Sequence, residues 1–275
     1  MNHLKQLSTE MAGLYSKNSK VESILLAGSV SRCWEDEHSD IELHIFWTEP
    51  PHDVDRIGPI KEVNGDILSF HPYEDEEWSE AYVTKNGVKL EISSFLTDTV
   101  DRVVGDVVDD FDPDYDKQCI ASSIHYGEAL VNGAKINDLK QKLRFYPDGL
   151  SQAMILENLQ FGNKWNNCSA LLQRQDWLML YSTICEVERK LLGILFGLNQ
   201  MYVQHPSFKW MENSINLMKV TPCNLYDRMS EILTGGPERS ISQLTELIDE
   251  TMDLVEGRYP GLIKPEVRSS IRYMK

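Results

Sequence analysis

Residues 40–47, DIELHIFW, alternate between polar and apolar side chains as far as Phe46. Successive residues of a strand point to opposite faces. Ile41, Leu43, Ile45 and Trp47 therefore share one face, and Asp40, Glu42 and His44 share the other. Four large apolar residues on one side require a sheet and a layer to cover it. The other side poses a problem, because two carboxylates two residues apart are costly to bury without a compensating charge.

The flanking sequence supplies the rest of a sheet. VESILLAG (21–28) reads as a buried strand ended by glycine, and SVSRCWEDEHS as a short helix or turn. GDILSFHPY and AYVTKNGVKLEISSF carry further strand signals, with Lys85-Asn86-Gly87 as a hairpin turn. Residues 88–95 alternate Val88, Leu90 and Ile92 against Lys89, Glu91 and Ser93, so this strand too has an acidic polar face. Residues 3–17 have helical spacing in Leu4, Leu7, Met11 and Leu14. The segment 50–59 reads as a Pro-rich loop, and 98–116 as a helix running into an acidic turn near Pro113.

After about residue 136 the texture changes. Residues 151–173, 176–197, 208–219, 223–234 and 239–257 all suit helices, separated by breakers such as Gly235-Gly236-Pro237. The most apolar of them, WLMLYSTICEVERKLLGILFGL, carries Glu186, Glu188, Arg189 and Lys190, and reads as a buried helix rather than a membrane span. The expected fold class is α+β: a mixed sheet with helices over residues 1–135, then an all-α helical bundle over 136–275.

Charge divides the same way. Of the net −16, residues 1–130 carry −17 and the remainder +1. So acidic a half repels phosphate backbones and attracts cationic small molecules, which disfavours nucleic acid as a partner. Five cysteines, widely spaced and without a C-x-x-C, suggest neither a disulfide framework nor a zinc site. The first residues contain no apolar run of the signal-peptide kind, so the expectation is a cytoplasmic protein with no membrane partner.

The acids can be given a task. Asp40 and Glu42, at i and i+2, can hold one cation or a pair. Hard oxygen ligands suit Mg²⁺, with Mn²⁺ able to substitute, and Glu91 on another strand offers a third carboxylate. Two ions held by three carboxylates activate an attacking oxygen and stabilise a leaving pyrophosphate. Gly28 lets the backbone approach a phosphate closely, and Ser29 opens a short helix whose free N–H groups and hydroxyl suit an anion. Arg32, one short turn on, is a further phosphate candidate that reads equally well as a surface arginine.

The stretch LLAGSVSRCWEDEHSDIELHIF (25–46) resembles the signature of the polymerase-β-type nucleotidyltransferase superfamily: apolar strand, Gly-Ser, a spacer of about a dozen residues, then Asp-apolar-acid-apolar. The family's third carboxylate lies on a later strand, where Glu91 in VKLEISSF is suitably placed. A small catalytic domain followed by a helical one looks like the bacterial antibiotic nucleotidyltransferases, which act on lincosamides and aminoglycosides. That resemblance implies a helical domain that supplies a lysine to the triphosphate. In LFGLNQMYVQHPSFKWM (195–211) it points to Lys209 and, as a nucleotide contact, Asn199. It also implies ATP or another NTP as co-substrate and a small acceptor hydroxyl. One departure is Glu42, where many relatives have Asp; glutamate reaches one methylene further and still coordinates Mg²⁺.

Several alternatives stay open in the sequence. Glu128 in HYGEAL competes with Glu91 as general base, and His44 reads as a rim residue on the polar face. Lys164 and Lys190 read as solvated or ion-paired. The acceptor could instead be a protein hydroxyl, as in toxin–antitoxin-like enzymes, or the site could be silent and the chain a nucleotide-binding regulator. A homodimer is admitted but not required.

Overall fold

The computed structural model describes residues 3–272. The chain is α+β, with a mixed six-stranded sheet and its helices followed by a helical region. It divides into two compact units. The first comprises the residues up to Asp110 together with Cys119–Phe145; the second comprises Phe111–Gln118 and the chain from Tyr146 onward.

The strands of the first unit are β1 (Val21–Leu26), β2 (Ile41–Trp47), β3 (Asp66–Phe70), β4 (Trp78–Val83), β5 (Lys89–Leu96) and β6 (Glu128–Val131). Their order across the sheet is β3-β4-β5-β2-β1-β6. β2 is central, parallel to β5 and antiparallel to β1. Its core-facing pleat behaves as the alternation requires: Ile41, Leu43, Ile45 and Trp47 are fully buried. They join Ile24, Leu26, Leu90 and Ile92 beneath α1 (His3–Tyr15), which contributes Met11 and Tyr15. On the opposite pleat Leu25, Phe46 and Phe95 are also buried, outside that cluster.

The segment 50–59 is not a loop. After Pro50-Pro51 the chain forms α3 (Asp53–Glu62). Asp55 accepts a 2.8 Å hydrogen bond from the His52 N–H, closing the first turn in capping-box fashion, and Asp53 and Asp55 complement the helix dipole. Pro59 lies inside the helix and costs it one donor. What outweighs that cost is tertiary. Arg56 on α3 is fully buried and holds Glu80 of β4 through its Nε (2.8 Å) and Nη2 (2.5 Å). Its Nη2 also donates to the carbonyls of His71 and Ser79, and its guanidinium lies 4.0 Å from the centroid of the Phe70 ring.

The predicted helix 151–173 is three helices: α7 (Asp148–Asn158), α8 (Gly162–Asn166) and α9 (Cys168–Arg174). α7 stops at Asn158, and Gly162, with φ +76°, opens α8 in a backbone conformation that periodicity does not register. β6, absent from the sequence reading, is a four-residue strand added antiparallel to β1. α10 (Trp177–Leu198) is the axis of the second unit. Gly193 and Gly197 let it approach α7 closely; a Cβ on Gly197 would stand 2.9 Å from that of Met154. α12 (Leu225–Thr234) and α13 (Pro237–Arg258) pack on it. No helix among the described residues is long and apolar enough to cross a membrane.

Truncating Glu80 to Ala leaves the Arg56 guanidinium buried with its principal counter-charge gone. The expected loss is about 3–5 kcal/mol of unfolding free energy. Urea denaturation measures it, and the double variant Arg56→Met/Glu80→Leu is expected to recover most of it.

Candidate active site

The topology explains why Gly28 and the acidic strand meet. β1 runs antiparallel to β2, so the C-terminal end of β1 arrives beside the N-terminal end of β2. The Ala27 N–H donates to the Glu42 carbonyl at 2.9 Å. Gly28 follows with φ +64°, in the left-handed region that glycine alone enters freely. The Glu42 carboxylate lies directly against it: a Cβ on Gly28 would stand 2.5 Å from both Cδ and Oε1 of Glu42. Gly28 thus sets the backbone turn and also leaves room for that carboxylate.

β5 runs parallel to β2, with Glu91 directly paired to Glu42. In a parallel ladder such neighbours are about 4.8 Å apart at Cα and on the same face. Asp40 precedes β2 on that face. Three predicted carboxylates therefore share one end of one face, but they do not converge on one point. Asp40 and Glu91 both meet the Lys89 ammonium, Asp40 at 3.1 Å and Glu91 more closely. Those bonds, the one to Glu91 foremost, hold the Lys89 pKa above the usual lysine value. Among the described residues no three His, Cys, Asp or Glu side chains form a metal-holding group. The donors are nevertheless of the hard-oxygen type Mg²⁺ takes, and a cation, the lysine's own, already bridges two of them. The sequence reading treated Lys89 only as a neighbour of Glu91.

The remaining predicted residues are placed as follows. Ser29 is buried in the four-residue helix α2 (Gly28–Ser31), its carbonyl accepting from the N–H groups of Arg32 and Trp34. Arg32 turns inward: its Nη2 donates to Ser122 at 2.9 Å, and its guanidinium lies 4.6 Å from the centroid of the Tyr126 ring. Burial lowers its pKa to about 10, so it stays charged at neutral pH, and Tyr126 and Glu42 favour that charge. Glu128 begins β6 and is paired with Lys5 at 3.0 Å. With β2 and β1 between β5 and β6, Glu128 stands roughly 14 Å across the sheet from Glu91.

His44 is half-buried on the same face. Its ring packs on Phe95, centroids 5.6 Å apart, and Nδ1 is buried without a hydrogen-bond partner. Burial pushes its pKa down to about 4. The polar face is therefore graded along β2 and β5: acids at the N-terminal end, His44 and Ser93 next, then Phe46 and Phe95.

In the second unit, Asn199 caps α10 with every hydrogen-bonding position of its amide engaged by backbone. Nδ2 donates to Leu195 and Val220 carbonyls, and Oδ1 accepts from Lys219 and Val220 N–H groups, all at 2.7–2.8 Å. This side chain ties the helix end to residues 219–220, which is a structural task. Lys209 is exposed just before α11 (Met211–Leu217). Its neighbours Phe208 and Trp210 have φ of +53° and +61°, strained for bulky residues. Phe208 is wedged between Phe196 and the edge of Tyr115, which holds the loop in that shape.

Comparison with known proteins adds the following. A family model described as a domain of unknown function (DUF4037) matches residues 114–211, which include Asn199 and Lys209. A search of the curated proteins returns no match. Among solved structures, a nucleotidyltransferase-like protein from Exiguobacterium sibiricum 255-15 is similar at 12% identity and a TM-score of 0.44, covering 93% of this chain and 77% of that one. An aminoglycoside 6-adenyltransferase from Bacillus subtilis is similar at 11% identity and a TM-score of 0.35, covering 98% and 96%. Likenesses this distant leave function to the geometry of the chain's own residues.

Two outcomes are expected here. His44 has a folded-state pKa below its unfolded value, so the unfolded chain binds the extra proton first as pH falls. Stability is then lost from about pH 6.5 down to about pH 4, up to ~3 kcal/mol in total. His44→Phe should remove that part of the acid limb in urea melts at stepped pH. Lys89→Met removes the cation that competes for Asp40 and Glu91. Mn²⁺ affinity of the nucleotide-free protein, read by electron paramagnetic resonance, should rise on the order of tenfold; unchanged affinity would mean Lys89 does not compete.

Proposed function

We propose that this protein is a nucleotidyltransferase that moves a nucleoside monophosphate, AMP from ATP being the first candidate, onto a hydroxyl of a small acceptor. The observation that carries the reading is the seating of the Glu42 carboxylate against Gly28, with Asp40 and Glu91 along the same strand ends. Asp40, Glu42 and Glu91 would hold Mg²⁺, which supplies charge neutralisation at the triphosphate when bound. Gly28, lacking a side chain, leaves the backbone open to phosphate oxygens, and Ser29 adjoins it. Glu91, about half exposed, is the group we assign to accept the acceptor's hydroxyl proton. The acceptor oxygen bonds to the α-phosphorus as the bond to pyrophosphate breaks. The family resemblance alone points to Lys209, an exposed residue, as the lysine for the triphosphate. Asn199 is left out of the nucleotide contacts because its amide is already engaged.

The charge of residues 1–130 favours a cationic acceptor, so aminoglycoside- and lincosamide-like compounds are the first classes to test, in a bacterial, antibiotic-resistance setting. One observation favours a second reading, a nucleotide-binding regulator without turnover: Lys89 engages two of the three carboxylates.

Pyrophosphate release is to be measured with ATP, GTP, CTP and UTP against a panel of hydroxylated acceptors. Asp40→Asn is expected to lower the rate about a hundredfold or more while leaving the unfolding transition in place. Full activity in that variant would overturn the assignment. Mg²⁺-dependent binding of a non-hydrolysable NTP with no turnover on any acceptor would select the regulator.

A further inference from the structure

α10 turns one carboxyl group into the interior of the helical unit. Glu188 is only 5% exposed, and its Oε1 is buried without a hydrogen-bond partner. Burial raises its pKa to about 8. Buried carboxyl groups in folded proteins are normally hydrogen-bonded or paired, so one left open wants an explanation.

The surroundings offer one. Glu188 lines a cleft of about 520 Å³, in the range of small-molecule sites, whose other walls include Leu192, Phe208, Met211, Met229 and Leu233. The two thioethers give those walls an adaptable surface. Cys185, Glu186 and Arg189 are the other ionisable groups of the lining, all on α10; the facing elements present Ser207 and apolar side chains. The Arg189 guanidinium lies 5.9 Å from the Tyr115 ring centroid, a cation–π contact, and the residue itself is exposed. The walls are thus largely apolar, with one buried, unpartnered acid among them. The complementary ligand is an apolar body bearing a single ammonium group.

We propose that this cleft is a binding site for a small hydrophobic amine, with the ammonium against Glu188 and the hydrocarbon body against Phe208, Met211 and Met229. The site lies wholly within the helical unit and stands independently of nucleotidyl transfer. The ion pair gives the carboxyl group a partner, and the cleft walls remove the apolar body from water. Below pH 8 the empty site carries a protonated carboxyl, so binding an ammonium ion expels one proton to solvent. Affinity should therefore climb roughly tenfold per pH unit from pH 6 to 7 and level off above 8.

The test is titration calorimetry on the full chain without nucleotide, using phenethylamine, its neutral counterpart 2-phenylethanol, and 3-phenylpropanoate. Saturable binding of the amine, at least tenfold tighter than the alcohol, is expected. Glu188→Gln should erase that preference while the unfolding transition is retained. Leu233→Trp, which adds bulk to the lining at a partly exposed position, should weaken amine and alcohol alike. Equal affinity for amine and alcohol, amine binding unchanged in either variant, or no saturable binding at millimolar amine would overturn the proposal. Preference for the carboxylate would assign the cleft to anions through Arg189 and overturn it as well.

Discussion

The first unit depends on the position of β2 between one antiparallel and one parallel neighbour. Its odd-numbered side chains are fully buried, so its register cannot slip by a residue without turning Asp40, Glu42 and His44 into the core. That constraint fixes what lies alongside. The antiparallel partner must end where β2 begins, which delivers Gly28 to Glu42. The parallel partner must begin where β2 begins, which delivers Lys89 and Glu91. Four polar groups from two strands, with a glycine from a third, thus meet at one end of one face as a consequence of backbone pairing.

Charge is treated differently in different places. In the interior, Arg56 and Glu80 form a fully desolvated pair whose hydrogen bonds reach the backbone around β4 as well as each other. At the half-exposed strand ends, one lysine serves two carboxylates and Glu42 rests against glycine. A buried pair of the first kind resists exchange, because separating it strands a charge in low dielectric. A bridged cluster of the second kind, open to water, can trade its lysine for another cation at modest cost. The Glu188 carboxyl is a third case, a buried acid with an oxygen that nothing in the helical unit satisfies.

Much of this was legible beforehand. The alternation at 40–47 and 88–95 predicted two strands and the face their acids occupy, and the glycine at 28 predicted a turn beside them. The loop expected at 50–59 is a helix because Arg56 finds its partner on β4, far along the chain, and local signals dominated by prolines could not show that. The long helix expected at 151–173 breaks after Asn158 and resumes at Gly162, whose left-handed backbone leaves no trace in hydrophobic spacing. The family resemblance points to Asn199 and Lys209 together, yet the structure gives the first amide entirely to the backbone and leaves the second side chain exposed.

The sequence by itself determined which residues face the core and which acids stand on the polar pleat, since a period of two and a period of 3.6 are properties of the local backbone. It also determined the acidity of the first 130 residues and the helical character of the rest. Only the tertiary structure decided that Lys89 bridges Asp40 and Glu91, that His44 packs half-buried on Phe95, that Arg32 turns toward Ser122, and that Glu188 is buried in the wall of an apolar cleft. Each of those depends on partners brought together by strand order or helix packing, and long-range pairing is not encoded in the spacing of any one segment.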